Sequence, residues 1–263
     1  MRGYGALISA RFRTLLQYRF AAFAGFTTQI VFGLVFIMIF EAFFRSSSIA
    51  QPMARAEVIT YIWLGQAFLS MLPWNVDRDL QTMVRSGGIT YELLRPLNLY
   101  WAWYSRAVAL RTAPVLLKSV PLIIVATLVF NFQAPASLAA GLAFAVTMLG
   151  ALLLSCAITN ILTISLMWTV SGEGVTGFAP TVVMMLSGMI VPLPFFPYWA
   201  QGFTHFLPFS GLVDTPYRLY IGHLPVSDLP LLLAHQLGWT VAIVLLGQWL
   251  LSRGLRRMTV QGG

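Results

Sequence analysis

Long apolar runs alternate along this chain with short polar joints. A crossing helix needs about 20 predominantly apolar residues to span a hydrocarbon core about 30 Å thick. Residues 20–44 supply one such run, with Glu41 near its far end, and residues 58–76 supply a second with no charge at all. No charged residue occurs from Ser119 to Gly172, which is room for more than one crossing. The polar, proline-bearing break there is NFQAPAS at 131–137, so a third span is predicted at 104–130 and a fourth at 138–167. The third is unusual in holding Arg111, Pro114, Lys118 and Pro121. A short fifth span is predicted at 177–191, and a clean final one at 229–252.

The intervening stretch 192–228 breaks the pattern. Prolines at 192, 194, 197 and 208 forbid a regular membrane helix. Its aromatic content suits an outer hairpin that is re-entrant or interfacial, since irregular backbone at membrane depth is tolerated only against protein or water. At the other end, ALISARFRTLLQYR (6–19) has apolar positions at 7, 8, 12, 15 and 16 and arginines elsewhere. Residues 1–19 are therefore expected to form a basic amphipathic helix lying in the inner interface. The alternative is a plain cytoplasmic extension of the first span. Arg2, Arg11, Arg13 and Arg19 are spread too widely for a cleaved signal, and the run behind them is of span length.

Composition agrees with the pattern. The 263 residues are 58% hydrophobic and 9% charged, with a mean hydropathy of +0.79, whereas soluble domains are about 25% charged. The expected fold is a single all-α integral membrane domain over 1–263. It has six transmembrane helices, an N-terminal interfacial helix and an outer proline-aromatic hairpin before the last span. Six spans put both termini on one side with the 77–103 loop. That side then holds Arg2, Arg11, Arg13, Arg19, Arg78, Arg85, Arg95, Arg253, Arg256 and Arg257, with Arg106 near the boundary, against Arg45, Arg55 and Arg218 opposite. The bias places both termini in the cytoplasm. The +8 charge comes almost wholly from arginine, Lys118 being the lone lysine. With no soluble basic domain, nucleic acid is not an expected partner. Cys156 excludes a disulfide framework and reads as a buried, inert thiol.

The residues needed for several chemistries are missing. A P-loop requires glycines around its lysine, and Thr112 and Leu117 stand where they would be. His205, His223 and His235 share no metal-ligand spacing. Asp77 and Asp79 read as a solvated loop head. A membrane-embedded enzyme would need converging acids or histidines, so no catalytic residue, cofactor or metal ligand is expected. Ionisable groups within spans mark pathways. Arg111 is expected to snorkel toward the inner headgroups. Lys118 lies deeper, where snorkelling and a pathway role both stay open. Gln29 and Gln66 are polar pathway candidates, as are Ser155, Thr159 and Thr163, which recur every four residues on one helix face. The latter three suit close helix packing equally well. Met184, Met185 and Met189 read as lipid-facing filler before an adaptable lining.

The charge concentrated in RSGGITYELLRP (85–96) is the most informative feature. Leu80, Met83 and Val84 can make a short apolar face at helical spacing. Gly87 and Gly88 break it, Tyr91, Leu93 and Leu94 make a second cluster, and Pro96 ends it. A cytosolic loop gains from such groups if they dock in a groove on a soluble partner; the other reading is a loop lying on its own bundle. This topology, with an amphipathic start, a long first cytoplasmic loop and a late outer hairpin, resembles the permease subunits of ABC-2 type transporters. Arg85-Ser86-Gly87 followed by Tyr91, Leu93, Leu94, Arg95, Pro96 and Leu97 resembles the branch of bacterial exporter permeases related to viologen and multidrug systems.

The resemblance implies an inner-membrane permease that moves a hydrophobic or cationic small molecule outward. ATP and magnesium would be bound by a separate ABC ATPase subunit. A second permease, identical or different, would complete the pathway. Residues 77–103 would then be the coupling element, with Arg85, Glu92 and Arg95 orienting the contact, Tyr91 and Leu94 anchoring it, and Ser86, Gly87, Gly88, Leu93 and Pro96 completing the surface. An ATP-independent secondary transporter or channel, and a structural assembly subunit, are the rival readings.

Overall fold

The computed structural model describes residues 2–17, 19–46, 51–86, 88–168 and 173–257. Among them every regular element is a helix. In order these are α1 (Arg2–Leu16), α2 (Arg19–Ser46), α3 (Arg55–Phe68), α4 (Arg78–Arg85), α5 (Ile89–Leu93) and α6 (Leu99–Val129). There follow α7 (Leu138–Ser165), α8 (Glu173–Leu186), α9 (Tyr198–Phe206), α10 (Asp214–Tyr220) and α11 (Leu229–Arg257).

Among the described residues, four helical stretches are long and apolar enough to cross a membrane: Phe23–Ser46, Leu99–Val129, Leu138–Ser165 and Val226–Arg256. Helices α3 and α8 have 14 residues each, about 21 Å at 1.5 Å per residue. Beyond α3 the chain continues through a 3₁₀ turn, Leu69–Met71, and an extended stretch to Asp77.

Side chains satisfy the first orphan amides at several helix starts. Ala54 N donates to the Glu57 carboxylate at α3 (2.6 Å), Trp101 N to Asn98 Oδ1 at α6 (3.3 Å), and Ala140 N to Ser137 Oγ at α7 (3.0 Å). Helix α6 begins five residues before the expected third span and runs through both Pro114 and Pro121. It closes at Asn131, whose φ of 52° is a left-handed conformation that asparagine tolerates.

Helix α7 is the centre of the molecule, with α6, α10 and α11 against it and Leu154, Cys156 and Ala157 fully buried. Polar side chains lock the centre. The buried Gln236 amide of α11 donates to Thr147 O (3.0 Å) and Gly211 O (2.7 Å), in space that Gly150 leaves free. With no water to compete, such bonds between membrane helices are worth about 0.6–2 kcal/mol each.

Residues 192–228 fold as five short pieces: a 3₁₀ turn at Leu193–Phe195, α9, a 3₁₀ turn at Pro208–Leu212, α10, and a 3₁₀ turn at Val226–Asp228. Tyr217 Oη donates to Leu64 O (3.2 Å) and Tyr220 Oη to Gln133 O (3.1 Å), tying the region to α3 and the α6–α7 joint. Asp214 accepts from Leu193 N (3.3 Å) and Arg218 (3.2 Å); burial pushes its carboxyl above the ordinary range, and Arg218 pulls it back. Gly188 permits the reversal from α8 into this region. Its φ is +86°, and a Cβ there would lie 2.7 Å from the Tyr61 hydroxyl.

Candidate coupling surface and intramembrane cavity

Helices α4 and α5 form one cap on the α6–α7–α11 end of the bundle. Asp77 starts α4, accepting from Asp79 N at 3.0 Å. Leu80 and Ile89 are buried among Leu99, Tyr100, Trp103, Ile164 and Leu251. These two residues anchor the cap, Met83 and Val84 pack partly buried beside them, and the apolar groups after Ile89 point away. Tyr91 is 76% exposed, Leu94 82% and Leu93 50%. Glu92 is buried and receives Arg95 at 3.0 Å, so the carboxylate holds the arginine in place beside the apolar tip. Arg85, Ser86 and Pro96 are exposed, and Gly88 precedes α5 with a φ of −65° that any residue adopts. Gly87 lies outside the described residues.

Asp77 is not a solvated loop head. It is 3% exposed and accepts from Arg11 of α1 (2.8 Å) and Arg106 of α6 (3.1 Å). Asp79 takes the same two arginines at 2.7 and 3.4 Å. The physical reason is desolvation. A carboxylate can be buried when cations and an amide compensate it. An Asp-x-Asp beside an arginine-rich amphipathic helix was the signal available in the sequence. Only the fold places Arg11, 66 residues away, against it.

The second feature is a cavity of about 560 Å³ between α2, α3 with its continuation, α6 and the end of α8. Gln29, Gln66 and Lys118 line it, together with Arg111 and Asn75. Ser155, Thr159 and Thr163 do not. They are buried in the packing of α7, where Ser155 Oγ donates to Met71 O, and Thr159 and Thr163 bond back to their own helix. Met184 and Met189 belong to the cavity wall, whereas Met185 is 55% exposed.

Arg111 does not snorkel. It is 1% exposed, with Nη1 donating to Asn75 Oδ1 (2.9 Å), Nη2 to Asn75 O and to Thr159 Oγ1 (3.1 Å), and Nε to Thr159 Oγ1 (3.3 Å). Neutral acceptors from two elements hold it inside the bundle. Arg111 and Lys118 are seven residues apart, two helical turns, which puts both on the cavity face of α6. That spacing was present in the sequence. The acceptor partners were not, because Asn75 and Thr159 reach Arg111 only through packing.

A family model described as ABC-2 family transporter protein matches residues 30–262. Comparison with curated proteins and with solved structures found no match. A family match across nearly the whole chain, on a bundle of apolar helices with a capped polar end, has one consequence: this membrane-embedded chain belongs to the ABC-2 family of transporter proteins.

Proposed function

We propose that the chain is the permease subunit of an ATP-driven exporter, non-catalytic itself, working with a separate ABC ATPase that binds ATP and magnesium. The observation carrying this reading is the α4–α5 cap. It buries Leu80 and Ile89 yet leaves Tyr91 and Leu94 in solvent. A loop folded on its own bundle would hide those groups. A loop that docks in a groove on a soluble motor needs them outward. Rigid anchoring at one face and an exposed tip at the other is what a force-transmitting contact requires.

The six-span reading follows if α3 with its extended continuation, and α8 with the turn after it, each complete a crossing, the 192–228 region then folding back from the outer side as a re-entrant hairpin. The arginine bias then puts the termini and the cap in the cytoplasm of the inner membrane. Exposed apolar faces on α2 and α11 suit lipid and a second permease, identical or different. The 85–97 motif supports a place near the viologen and multidrug exporter branch, with a hydrophobic cargo.

The test is co-purification of an ATPase with the tagged chain. Tyr91→Ala with Leu94→Ala should leave expression intact, since both side chains are exposed and neither anchors the cap, and weaken capture by about 2 kcal/mol or more, roughly 30-fold or more. Undiminished capture overturns the docking surface. Transport by the purified chain alone would favour an ATP-independent transporter instead.

A further inference from the structure

The cavity has an uncompensated charge pattern. Two cations line it, and among the described residues no Asp or Glu does. Asp77 lies nearby in sequence, but its carboxylate is engaged by Arg11 and Arg106. Arg111 is committed to Asn75 and Thr159. Lys118 is different: it has no hydrogen-bond or ion-pair partner among the described residues. Lys118 is half-buried, and a cation drawn partly out of water is costly unless paired and hydrogen-bonded.

Two further side chains at the wall lack hydrogen-bond partners. Gln29 and Gln66 are 4% and 2% exposed, and each has a buried amide oxygen with no partner. Buried polar groups in native proteins are almost always bonded, so unbonded ones at a cavity wall mark a ligand's place. The unbonded atoms are acceptors, so an anionic head can be met only by the two N–H donors of each amide, with the oxygen turned away about the last torsion. The rest of the wall is apolar, with Phe32, Phe36, Leu69, Trp74, Met184 and Met189. About 560 Å³ is room for a drug-sized molecule. The ammonium is also given its position by an absence. A Cβ on Gly25 of α2 would lie 2.6 Å from Lys118 Nζ, so the glycine makes room for it.

We propose that this cavity binds amphiphiles with an anionic head. Lys118 is the counter-ion, the amides of Gln29 and Gln66 donate to the head, and the phenylalanine and methionine wall takes the apolar body. This departs from the cationic cargo implied by the family branch, because a cation would meet Lys118 and Arg111 with no acid to offset them. The binding site stands on the geometry; its use as a cargo site rests on the permease reading above.

The experiment uses the full-length chain in phosphatidylcholine nanodiscs, with 11-(dansylamino)undecanoic acid as fluorescent probe. Dodecyl phosphate should displace the probe, and dodecyltrimethylammonium should not do so at about tenfold higher concentration, a difference of about 1.4 kcal/mol. Lys118→Met should lose about tenfold or more in probe affinity, and Lys118→Arg should recover most of it. Gly25→Ala tests the same point with an intact α2, since the lysine tip can move aside; it should also weaken the probe. Equal displacement by the two detergents, or wild-type affinity in a folded Lys118→Met and in Gly25→Ala, overturns the proposal. Displacement by phosphatidylglycerol added to the disc would identify the head as a bilayer lipid's. Release on adding ATP to the permease–ATPase complex would identify it as cargo's. Both keep the anionic site. Because binding is read without ATP, failure to find any ATPase partner would overturn the permease reading and not this one.

Discussion

Asp77 shows how much one side chain can decide. Its carboxylate caps α4 and receives Arg11 and Arg106, joining α1, the cap and α6 at one point. Asp77→Asn keeps the shape and removes the charge, leaving two guanidinium groups facing each other and sharing only Asp79. Removing one partner of a fully buried pair costs about 3–5 kcal/mol. Arg11 is 24% and Arg106 13% exposed, so water screens part of this, and about 1–3 kcal/mol is expected. Thermal unfolding of the chain in mild detergent should show a lower midpoint; an unchanged midpoint would remove the network's structural role. Arg111 teaches the converse. Its place in a span was legible, but a long cationic side chain has two outlets, headgroups or internal acceptors. Asn75 and Thr159 settle that choice at distances no spacing rule contains.

Among elements, α5 is the shortest α-helix described and sharply divided, with Ile89 fully buried and Tyr91 exposed two residues later. A five-residue helix is not stable alone. Its position depends on Ile89, Leu80 and the Glu92–Arg95 pair. Ile89→Ala should therefore loosen the cap without altering its tip, at a cost of about 2–5 kcal/mol for the lost burial and the cavity left behind. Amide hydrogen exchange across 78–97 should quicken in this variant. ATPase capture should weaken far less than in the Tyr91 variant. Unchanged exchange would mean that the cap is held by something else. The apolar positions of this loop were legible from the sequence. Which of them anchor and which protrude was not, since Ile89 and Leu94 are equally apolar and only packing against Leu99 and Trp103 separates them.

At the scale of the whole molecule the same charges that order the loops predict its orientation. Single cysteines at Ser86 and Ser227 are the test. Cys156 is 0% exposed, so the native thiol contributes little background labelling. A membrane-impermeant maleimide should reach Ser227→Cys from outside intact cells and Ser86→Cys only after the membrane is opened. Outside labelling of Ser86→Cys would reverse the topology. The exposed aliphatic and aromatic faces of α2 and α11 lead to a second expectation, two permease chains per complex by native mass measurement in mild detergent. A functional complex with one permease would show that lipid alone covers those faces.

The sequence by itself determined that the chain lives in a bilayer and is helical, because a backbone in hydrocarbon must satisfy its own hydrogen bonds and a run of about 20 apolar residues has few other ways to do so. It also determined where the polar joints fall, since charge is too costly to place elsewhere without compensation. What only the tertiary structure decided is which polar groups are compensated. Gln29, Gln66, Thr159 and Thr163 are alike as polar residues in apolar runs, yet packing gives the threonine hydroxyls acceptors and leaves the glutamine amide oxygens at a cavity wall without donors. Satisfaction of a polar group depends on atoms within about 3 Å, and those atoms come from helices far apart along the chain.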